Sequence, residues 1–195
     1  MSTYDWTSHA ALVPGFVRGA SYQNLESPGA IDALLRRIRR VWRARVPRRG
    51  VFVSYAHDDQ TWLDTLLDHL SWIREHGADI WTDRDIAPGA LWHETIQAEL
   101  DRALVAILMV SPAFLASPYI SSEELPSMLD AAAGDGLTIF WVPVRPSAYR
   151  QSPIARYHAA HPPDKPLATL RGAGRDKAFV EISEKLAKVL GVALR

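Results

Sequence analysis

The chain has 195 residues, of which 48% are hydrophobic and 23% are charged, and its 22 Lys and Arg residues balance 22 Asp and Glu residues. This composition is typical of a compact soluble fold, and the length allows one domain of about 100 to 150 residues with an appendage. Because the chain has no cysteine, disulfides, cysteine-ligated metal sites and a thiol nucleophile are excluded.

Hydrophobic segments of the chain are too short to cross a membrane. The longest strongly apolar run covers residues 104–110, whereas a membrane-spanning helix needs about 20 such residues. The first nine residues lack the basic start and apolar core of a secretory signal. We therefore expect a cytoplasmic protein without a membrane partner.

Basic residues are concentrated near the N-terminus. Between residues 31 and 45, apolar residues recur at helical spacing, which predicts a basic amphipathic helix. Such a helix could bind RNA, an anionic surface or an acidic partner, or pack its apolar stripe on the neighbouring domain, and we favour packing. No recognition motif accompanies the arginines, so we do not expect a nucleic acid partner. One short stretch contains Arg36, Arg37, Arg39, Arg40, Arg43, Arg45, Arg48 and Arg49.

A change in the character of the sequence marks a domain boundary. Pro47 and Gly50 punctuate the chain between the arginine-rich stretch and the first apolar run. We therefore predict an N-terminal helical extension over residues 1–49 and the main domain over residues 50–195.

The main domain alternates between apolar runs and helical periodicity. The run at residues 104–110 is typical of a central strand covered by helices on both faces. Helical spacing separates the runs, and a closing helix is expected over residues 176–190. Alternating strands and helices predict an α/β fold with a doubly wound parallel sheet. The predicted strands are residues 51–55, 79–82, 104–110 and 138–144, with a short edge strand at 167–170.

The expected topology directs attention to three loops. In an open parallel sheet, ligands bind beyond the carboxyl ends of the strands, where the strand order reverses. The loops that follow the first three predicted strands cover residues 54–59, 83–92 and 111–124. We therefore look for functional residues in these segments.

Three motifs occur in the order of these loops. Together they resemble a TIR (Toll/interleukin receptor) domain of bacterial type, over about three quarters of the chain from Val51 onward. The resemblance implies a flavodoxin-like, five-stranded parallel sheet of order 2-1-3-4-5, with a crevice between residues 54–56 and Ser111. The motifs are Phe52-Val53-Ser54-Tyr55 before an acidic pair, Trp81-Thr82-Asp83 before Ile86-Ala87-Pro88-Gly89-x-x-Trp92, and Ser111-x-x-Phe114-x-x-Ser117 before Glu124-Leu125.

The resemblance implies an activity. Many bacterial TIR domains cleave the nicotinamide–ribose bond of NAD+, which implies an NAD+ glycohydrolase that forms nicotinamide and ADP-ribose or a cyclic isomer. NAD+ is then the substrate, and no cofactor is expected. The family's catalytic glutamate precedes an aliphatic residue after the third strand, and Glu124 occupies that position. A carboxylate there would stabilise the oxocarbenium character of the ribose as nicotinamide departs.

Other residues of the motifs are candidates for binding the substrate. Many active TIR domains have a tryptophan four residues before the glutamate, where this chain has Ile120. This departure affects the expected base-stacking contact more than the carboxylate. The candidates for stacking are Phe52, Tyr55, Trp92 and Tyr119, and the polar candidates are Ser54, Asp83, Ser111 and Ser117.

Glu124 also has a purely structural interpretation. Ser121 and Glu124 have the spacing of a capping box, in which the serine caps a helix and the glutamate bonds back to it. Pro126 would then lie inside the helix, where it disrupts the backbone hydrogen bonds. Glu123 is the other acidic candidate, but adjacent helical residues point in different directions, so one of the two faces the crevice. Trp92 is equally a candidate for the core.

The second loop implies contacts between domains. In the family, a loop at the position of Ile86, Pro88 and Gly89 mediates contacts between TIR domains and completes the site of a neighbour. We therefore expect a homo-oligomer or filament that is active on assembly in bacterial defence or signalling, with or without further domains or an activating partner. The alternative is a non-enzymatic adaptor that binds other TIR domains.

Two further classes of site are not supported by the sequence. A phospho-acceptor receiver domain needs an aspartate at the end of the third strand, where Ser111 stands. The histidines show no spacing of a metal motif, and we expect no metal site.

Overall fold

A computed structural model describes residues 48, 50–89 and 91–192, and all of them belong to one compact unit. The predicted extension and its amphipathic helix lie outside these residues, apart from Arg48. The described residues form one parallel sheet of order β2-β1-β3-β4. Its strands are β1 (Val51–Ser54), β2 (Ile80–Trp81), β3 (Val105–Val110) and β4 (Thr138–Pro143).

Helices cover both faces of the sheet, which confirms the predicted α/β class. Among the described residues, no helix is long and apolar enough to cross a membrane. A π-helical turn, Ile120–Glu124, precedes the fourth helix. The helices are α1 (Gln60–Glu75), α2 (Trp92–Arg102), α3 (Pro112–Ala116), α4 (Leu125–Gly134) and α5 (Ala173–Leu190).

The core has two halves because side chains alternate across the sheet. Val51 and Val53 of β1 pack with α1 and α5, whereas Phe52 packs on the opposite face with α2 and α4. Every residue of β3 is buried, as expected for a central strand between two helical layers. The helical spacing of apolar residues in the sequence corresponds to α1, which buries Leu63, Leu66, Leu70 and Ile73.

The predicted fifth strand is wrong for the described residues. Residues 167–170 contain a 3-10 turn, Leu167–Thr169, which is preceded by Pro166. Proline has no N–H and cannot donate to a ladder, so this proline-rich segment is poorly suited to pairing. The outer side of β4 instead makes an isolated parallel bridge between Trp141 and Ala159. The described sheet therefore has four strands.

Two polar networks connect the helix ends and loops that lie beside the sheet. The Arg48 guanidinium donates to the Leu100 and Ala103 carbonyls at 3.0 and 2.7 Å and to the Asp135 carbonyl at 2.8 Å. These carbonyls lie at the C-terminal ends of α2 and α4, where a cation is favourable. A second network lies at the carboxyl ends of the strands, where Asp59 binds groups from two neighbouring loops.

Candidate functional site

A cavity of about 330 Å³ lies at the carboxyl ends of the first three strands. This volume is at the lower end of the range of small-molecule sites, so the cavity has room for one end of a dinucleotide. It occupies the position where the strand order reverses, as expected for an open parallel sheet. Its lining residues are Phe52, Val53, Ser54, Tyr55, Ala56, His57, Asp58, Asp83, Ile96, Ala113, Ser117, Tyr119, Ile120 and Glu124.

Glu124 is brought to the cavity by the π-helical turn. The turn closes with a hydrogen bond from the Leu125 N–H to the Ile120 carbonyl, five residues earlier. The alternative capping box is not formed, because the Ser121 hydroxyl donates instead to the Pro118 carbonyl at 3.1 Å. Helix α4 begins only at Leu125, so Pro126 lies in its first turn, where proline is tolerated. Such π turns recur at functional sites.

Of the two adjacent acidic residues, Glu124 faces the cavity. Its side chain is only 7% exposed, whereas Glu123 is exposed to solvent. The pKa of the Glu124 carboxyl is raised from 4.5 to about 7, chiefly because the group is buried; the Ser54 hydroxyl opposes this shift and the nearby Asp83 charge adds to it. Near neutral pH the group is therefore divided between its acid and its carboxylate. A poised carboxyl of this kind is a signature of functional sites.

Ser54 faces Glu124 from the end of β1. The Ser54 hydroxyl influences the Glu124 carboxyl, yet its Oγ is buried without a hydrogen bond of normal geometry among the described residues. A buried hydroxyl without a partner costs free energy, and a ligand that bonds it would recover that cost. Ser54 and Glu124 are therefore a polar pair at the cavity that can also bond a ligand.

Asp83 reaches the same cavity from the loop after β2. Its Oδ2 accepts a hydrogen bond from His57 Nε2 at 3.1 Å, its Oδ1 is buried without a hydrogen bond of normal geometry among the described residues, and the Tyr55 hydroxyl interacts with the carboxylate. The backbone here is held by Asp85, whose Oδ2 accepts from the Thr82 N–H at 2.7 Å. Asp83 is therefore presented by a short, well-bonded turn.

Two tyrosines flank the carboxylates. Burial and the negative charges of Glu124 and Glu123 raise the pKa of Tyr119 to about 12. The pKa of Tyr55 is also raised, chiefly by burial, and the Arg84 guanidinium lies 5.8 Å from the centre of its ring. Both phenols therefore stay protonated at neutral pH and can donate hydrogen bonds.

The structure does not bring every predicted residue to the cavity. Ser111 is fully buried and does not line it, so the predicted crevice beside Ser111 is corrected to one beside Ser117 and Glu124. The Ser111 hydroxyl donates to Asp59 and accepts from the Phe114 N–H at 3.0 Å, so it caps α3. Its bonding capacity is used inside the protein.

Phe52 and Trp92 were both predicted to stack on the substrate, and they differ in what the structure describes of them. Phe52 borders the cavity, but its ring stacks on Trp81 with 5.4 Å between ring centroids. Its larger role is therefore in the core. Trp92 is the first residue of α2, and its side chain lies outside the described part of the molecule.

The predicted assembly loop lies apart from the cavity lining. Ile86 is half-buried, whereas Pro88 and Gly89 are exposed. Gly89 has a φ of +85°, and a Cβ there would meet no atom within 4 Å. Next to the loop, Leu91 is 66% exposed, which is unusual for a large hydrophobic residue.

Sequence reasoning missed the partner of Asp83. His57 appeared only among histidines without a metal spacing, but it binds Asp83 across two loops. Both residues follow neighbouring parallel strands, so their common position at one sheet edge was the available signal. Among the described residues, no group of three His, Asp or Glu side chains is arranged to hold a metal ion.

The fold and the cavity define an α/β domain with a crevice at the topological switch point and a buried carboxylate inside it. A family model described as "TIR domain" matches residues 51–181, which is more than half of the chain. The chain therefore belongs to the TIR-domain family.

Individual relatives share little sequence identity with this chain. The uncharacterized protein y4lF of Sinorhizobium fredii is 25% identical over 147 residues, which are 75% of this chain and 45% of that protein. The solved structure of a metazoan TIR-STING receptor from C. gigas shares 18% identity with a TM-score of 0.42, over 71% of this chain and 41% of that one. The chain thus spans less than half the length of these two proteins.

Proposed function

We propose that this TIR domain is an NAD+ glycohydrolase in which Glu124 is the catalytic residue. The observation that carries the proposal is the buried Glu124 carboxyl, which lines the cavity, has no cation beside it among the described residues, and has a pKa of about 7. A structural carboxylate of the same depth is expected to be paired. Glu124 instead has no cation beside it among the described residues, so its charge is available to a ligand.

The proposed reaction breaks the bond between the ribose carbon and the nicotinamide nitrogen. The bonding electron pair leaves with the ring, which changes from a cationic pyridinium to neutral nicotinamide, so departure needs no general acid. Positive charge develops on the ribose, and the Glu124 carboxylate stabilises it from a site with little solvent. Water then adds to the ribose carbon and releases one proton, giving ADP-ribose. Capture by the adenine of the same molecule gives a cyclic isomer instead.

The raised pKa of Glu124 suits this role. Burial disfavours the carboxylate, and a cationic ligand beside it would shift the group towards its ionised form. A charge in a site of low effective dielectric interacts more strongly with the developing charge than a solvated one does. The Ser54 hydroxyl, which interacts with the same carboxyl, is the proposed partner of a ribose hydroxyl.

Assembly is part of the proposal. The exposed loop with Pro88, Gly89 and the neighbouring Leu91 is available for contact with a second TIR domain. This observation also favours the second candidate function, an adaptor that acts only through contacts between TIR domains. The two candidates differ in turnover, because an adaptor has no need of a catalytic carboxylate.

The test is nicotinamide release from NAD+ by the purified chain at high concentration, with and without a crowding agent that promotes assembly. We expect release by the wild type and a loss of about 10³-fold in Glu124→Gln, which removes the charge and keeps the shape. The matched control is Glu123→Gln, because Glu123 is adjacent but exposed, and we expect it to retain wild-type release within about twofold.

Two results would change the conclusion. Nicotinamide release that persists in Glu124→Gln would show that Glu124 is not the catalytic residue. An absence of release by folded, assembled wild-type protein would overturn the enzymatic function and leave the adaptor function.

A further inference from the structure

The edge cavity is a second cavity, of about 340 Å³, beside β4 at the edge of the described sheet. None of its described lining residues also lines the cavity that contains Glu124. Its volume is at the lower end of the range of small-molecule sites, so it has room for a ligand of one or two rings. Its lining residues are Trp141, Tyr149, Ala155, Tyr157, His158, Ala159, His161, Pro162, Pro163 and Lys185.

The segment that forms the edge cavity is bonded to both β4 and α5. The Ala160 N–H donates to the Trp141 carbonyl at 2.8 Å, and Lys185 Nζ of α5 donates to the Ala160 carbonyl at 2.7 Å. The Lys165 N–H donates to the Pro162 carbonyl at 3.0 Å and closes a turn. Because proline also restricts φ, the edge cavity is largely preformed, which lowers the entropy cost of binding.

The edge cavity is basic, whereas the cavity that contains Glu124 is lined by three acidic residues. Lys185 and two histidines line the edge cavity, and neither Asp nor Glu is among its described lining residues. An ammonium group has three N–H donors, of which Lys185 uses one for the Ala160 carbonyl. The remaining donors and the positive charge favour an anion in this cavity.

His161 contributes a hydrogen-bond acceptor to the lining. Its Nε2 lies 2.9 Å from the Lys165 carbonyl oxygen. Since a carbonyl only accepts, Nε2 has the proton, and Nδ1 of the neutral ring has a lone pair. The residue is 8% exposed, and Nδ1 is buried without a hydrogen bond in the described part of the chain. A ligand with an O–H or N–H group would recover the free energy that this acceptor costs.

Tyr157 contributes an aromatic ring. Its half-buried side chain lines the edge cavity, and its ring and hydroxyl have no ring contact or hydrogen bond with other described residues. The Tyr149 ring, by contrast, packs on Trp141 with 4.9 Å between ring centroids. Tyr157 is therefore available to stack on a planar ligand.

We propose that the edge cavity is a binding site for a planar aromatic anion that also has an O–H or N–H donor. Lys185 binds the anionic group, the ligand ring stacks on Tyr157, and His161 Nδ1 accepts from the donor. Aromatic carboxylates and nucleoside monophosphates share this chemistry. The site is independent of the proposed reaction, because no residue assigned to that reaction lines it.

The test measures the binding of two matched pairs of probes to the full chain by calorimetry. Para-hydroxybenzoate and para-hydroxybenzamide share a ring and a hydroxyl and differ in charge, and AMP and adenosine differ in a phosphate. We expect at least one anion to bind about tenfold more tightly than its neutral counterpart. Preference for the carboxylate alone would identify an aromatic acid as the ligand class, and preference for AMP alone would identify a nucleotide. Equal or absent binding within both pairs would overturn the proposal.

Proton NMR of the histidine rings locates the bound anion. His158 and His161 line the edge cavity, whereas His57 lines the cavity that contains Glu124. The anion should shift the signals of His158 and His161 and leave those of His57 in place. Shifts confined to His57 would place the anion in the other cavity and would also overturn the proposal.

Lys185→Gln tests the charge, and its amide still provides an N–H donor. We expect this variant to bind the anion no more tightly than the neutral probe, whose affinity should be unchanged. The matched control is Lys188→Gln on the same helix, because Lys188 is exposed and is not among the described lining residues. It should retain the preference within about twofold. A preference that persists in Lys185→Gln would contradict the assigned role of Lys185.

Tyr157→Leu tests the stacking, because leucine keeps apolar volume without an aromatic face. We expect both members of the bound pair to lose about fivefold in affinity, with the preference for the anion retained. Unchanged affinities in the folded variant would exclude Tyr157 from the site.

Discussion

Two buried carboxylates at the same edge of the sheet differ in how they are paired. Asp59 is 1% exposed, binds the Ser111 hydroxyl, and lies 3.0 Å from the Arg145 guanidinium. Glu124 is 7% exposed, interacts with the neutral Ser54 hydroxyl, and has no cation beside it among the described residues. Their burial is similar, so the difference lies in their partners.

This difference separates a carboxylate that connects parts of the fold from one whose charge has no partner in the described residues. Asp59 connects the segment after β1 with the residues that follow β3 and β4, and its charge is compensated within the protein. The charge of Glu124 is not compensated, which destabilises the ionised form and leaves it available to a cationic ligand. Variants of Asp59, Glu124 and Ser54 therefore test the two carboxylates separately.

The largest stability effect is expected from breaking the paired carboxylate. Asp59→Ala removes the partner of Ser111 and Arg145 and should lower the free energy of unfolding by about 3 kcal/mol. Urea denaturation measures this loss. The control is Asp58→Ala at the exposed neighbouring position, with an expected change within about 0.5 kcal/mol. Equal losses in both variants would show that Asp59 does not connect the loops.

Removal of the Glu124 charge should instead raise the free energy of unfolding at neutral and higher pH. Between pH 4.5 and about 7 the unfolded Glu124 is ionised while the folded one still holds its proton, so the folded state becomes less stable as the pH rises. The full shift corresponds to about 3 kcal/mol. Glu124→Gln should therefore be more stable than the wild type at pH 8, and the gain should disappear at pH 4.

Denaturation curves across this pH range test the prediction. Glu123→Gln, which changes the exposed neighbour, should follow the wild-type pH dependence. A constant difference between Glu124→Gln and the wild type at all pH values would mean that Glu124 titrates normally in the folded protein.

A smaller change is expected from Ser54→Ala. The Ser54 hydroxyl lowers the pKa of Glu124, so its removal should raise that pKa and move the acid limb of kcat/KM to higher pH. A displacement of about half a pH unit corresponds to about threefold less activity on the limb. Ser117→Ala, which changes another hydroxyl of the cavity lining, should leave the midpoint in place.

The smallest effect on stability is expected in the exposed loop. Gly89 and Gly77 have φ angles of +85° and +90° with open space around them, so an alanine at either position should cost about 1 kcal/mol. Only Gly89→Ala should alter the oligomer distribution in light scattering, because Gly89 belongs to the predicted assembly loop. Identical distributions for Gly89→Ala, Gly77→Ala and the wild type would exclude the loop from assembly.

The sequence predicted the sheet through its apolar runs, since long buried strands leave an unambiguous pattern. Residues 104–110 were expected to form a central strand, and β3 is Val105–Val110 with every residue buried. The predicted edge strand at residues 167–170 was wrong, because a few apolar residues after Pro166 can satisfy burial in a 3-10 turn as well as in a strand.

The candidate site could be predicted only in part. Glu124 was distinguished from Glu123 by the resemblance to the family, and the structure places Glu124 in the cavity because a π-helical turn shifts the start of α4. Ser111 has the same residue type as Ser54, yet it caps α3 instead of lining the cavity. Residue type alone does not distinguish a hydroxyl that the protein uses from one that it leaves to a ligand.

The sequence by itself determined the α/β class and the order of its central elements, because burial on two faces requires continuous apolar strands between amphipathic helices. It also determined which loops meet at the carboxyl edge, since parallel strands end on the same side. Only the tertiary structure decided that a guanidinium lies beside Asp59 and no cation lies beside Glu124 in the described residues, and that His57 binds Asp83. Those outcomes depend on distances between loops that are far apart in the chain, and hydropathy patterns contain no information about such distances.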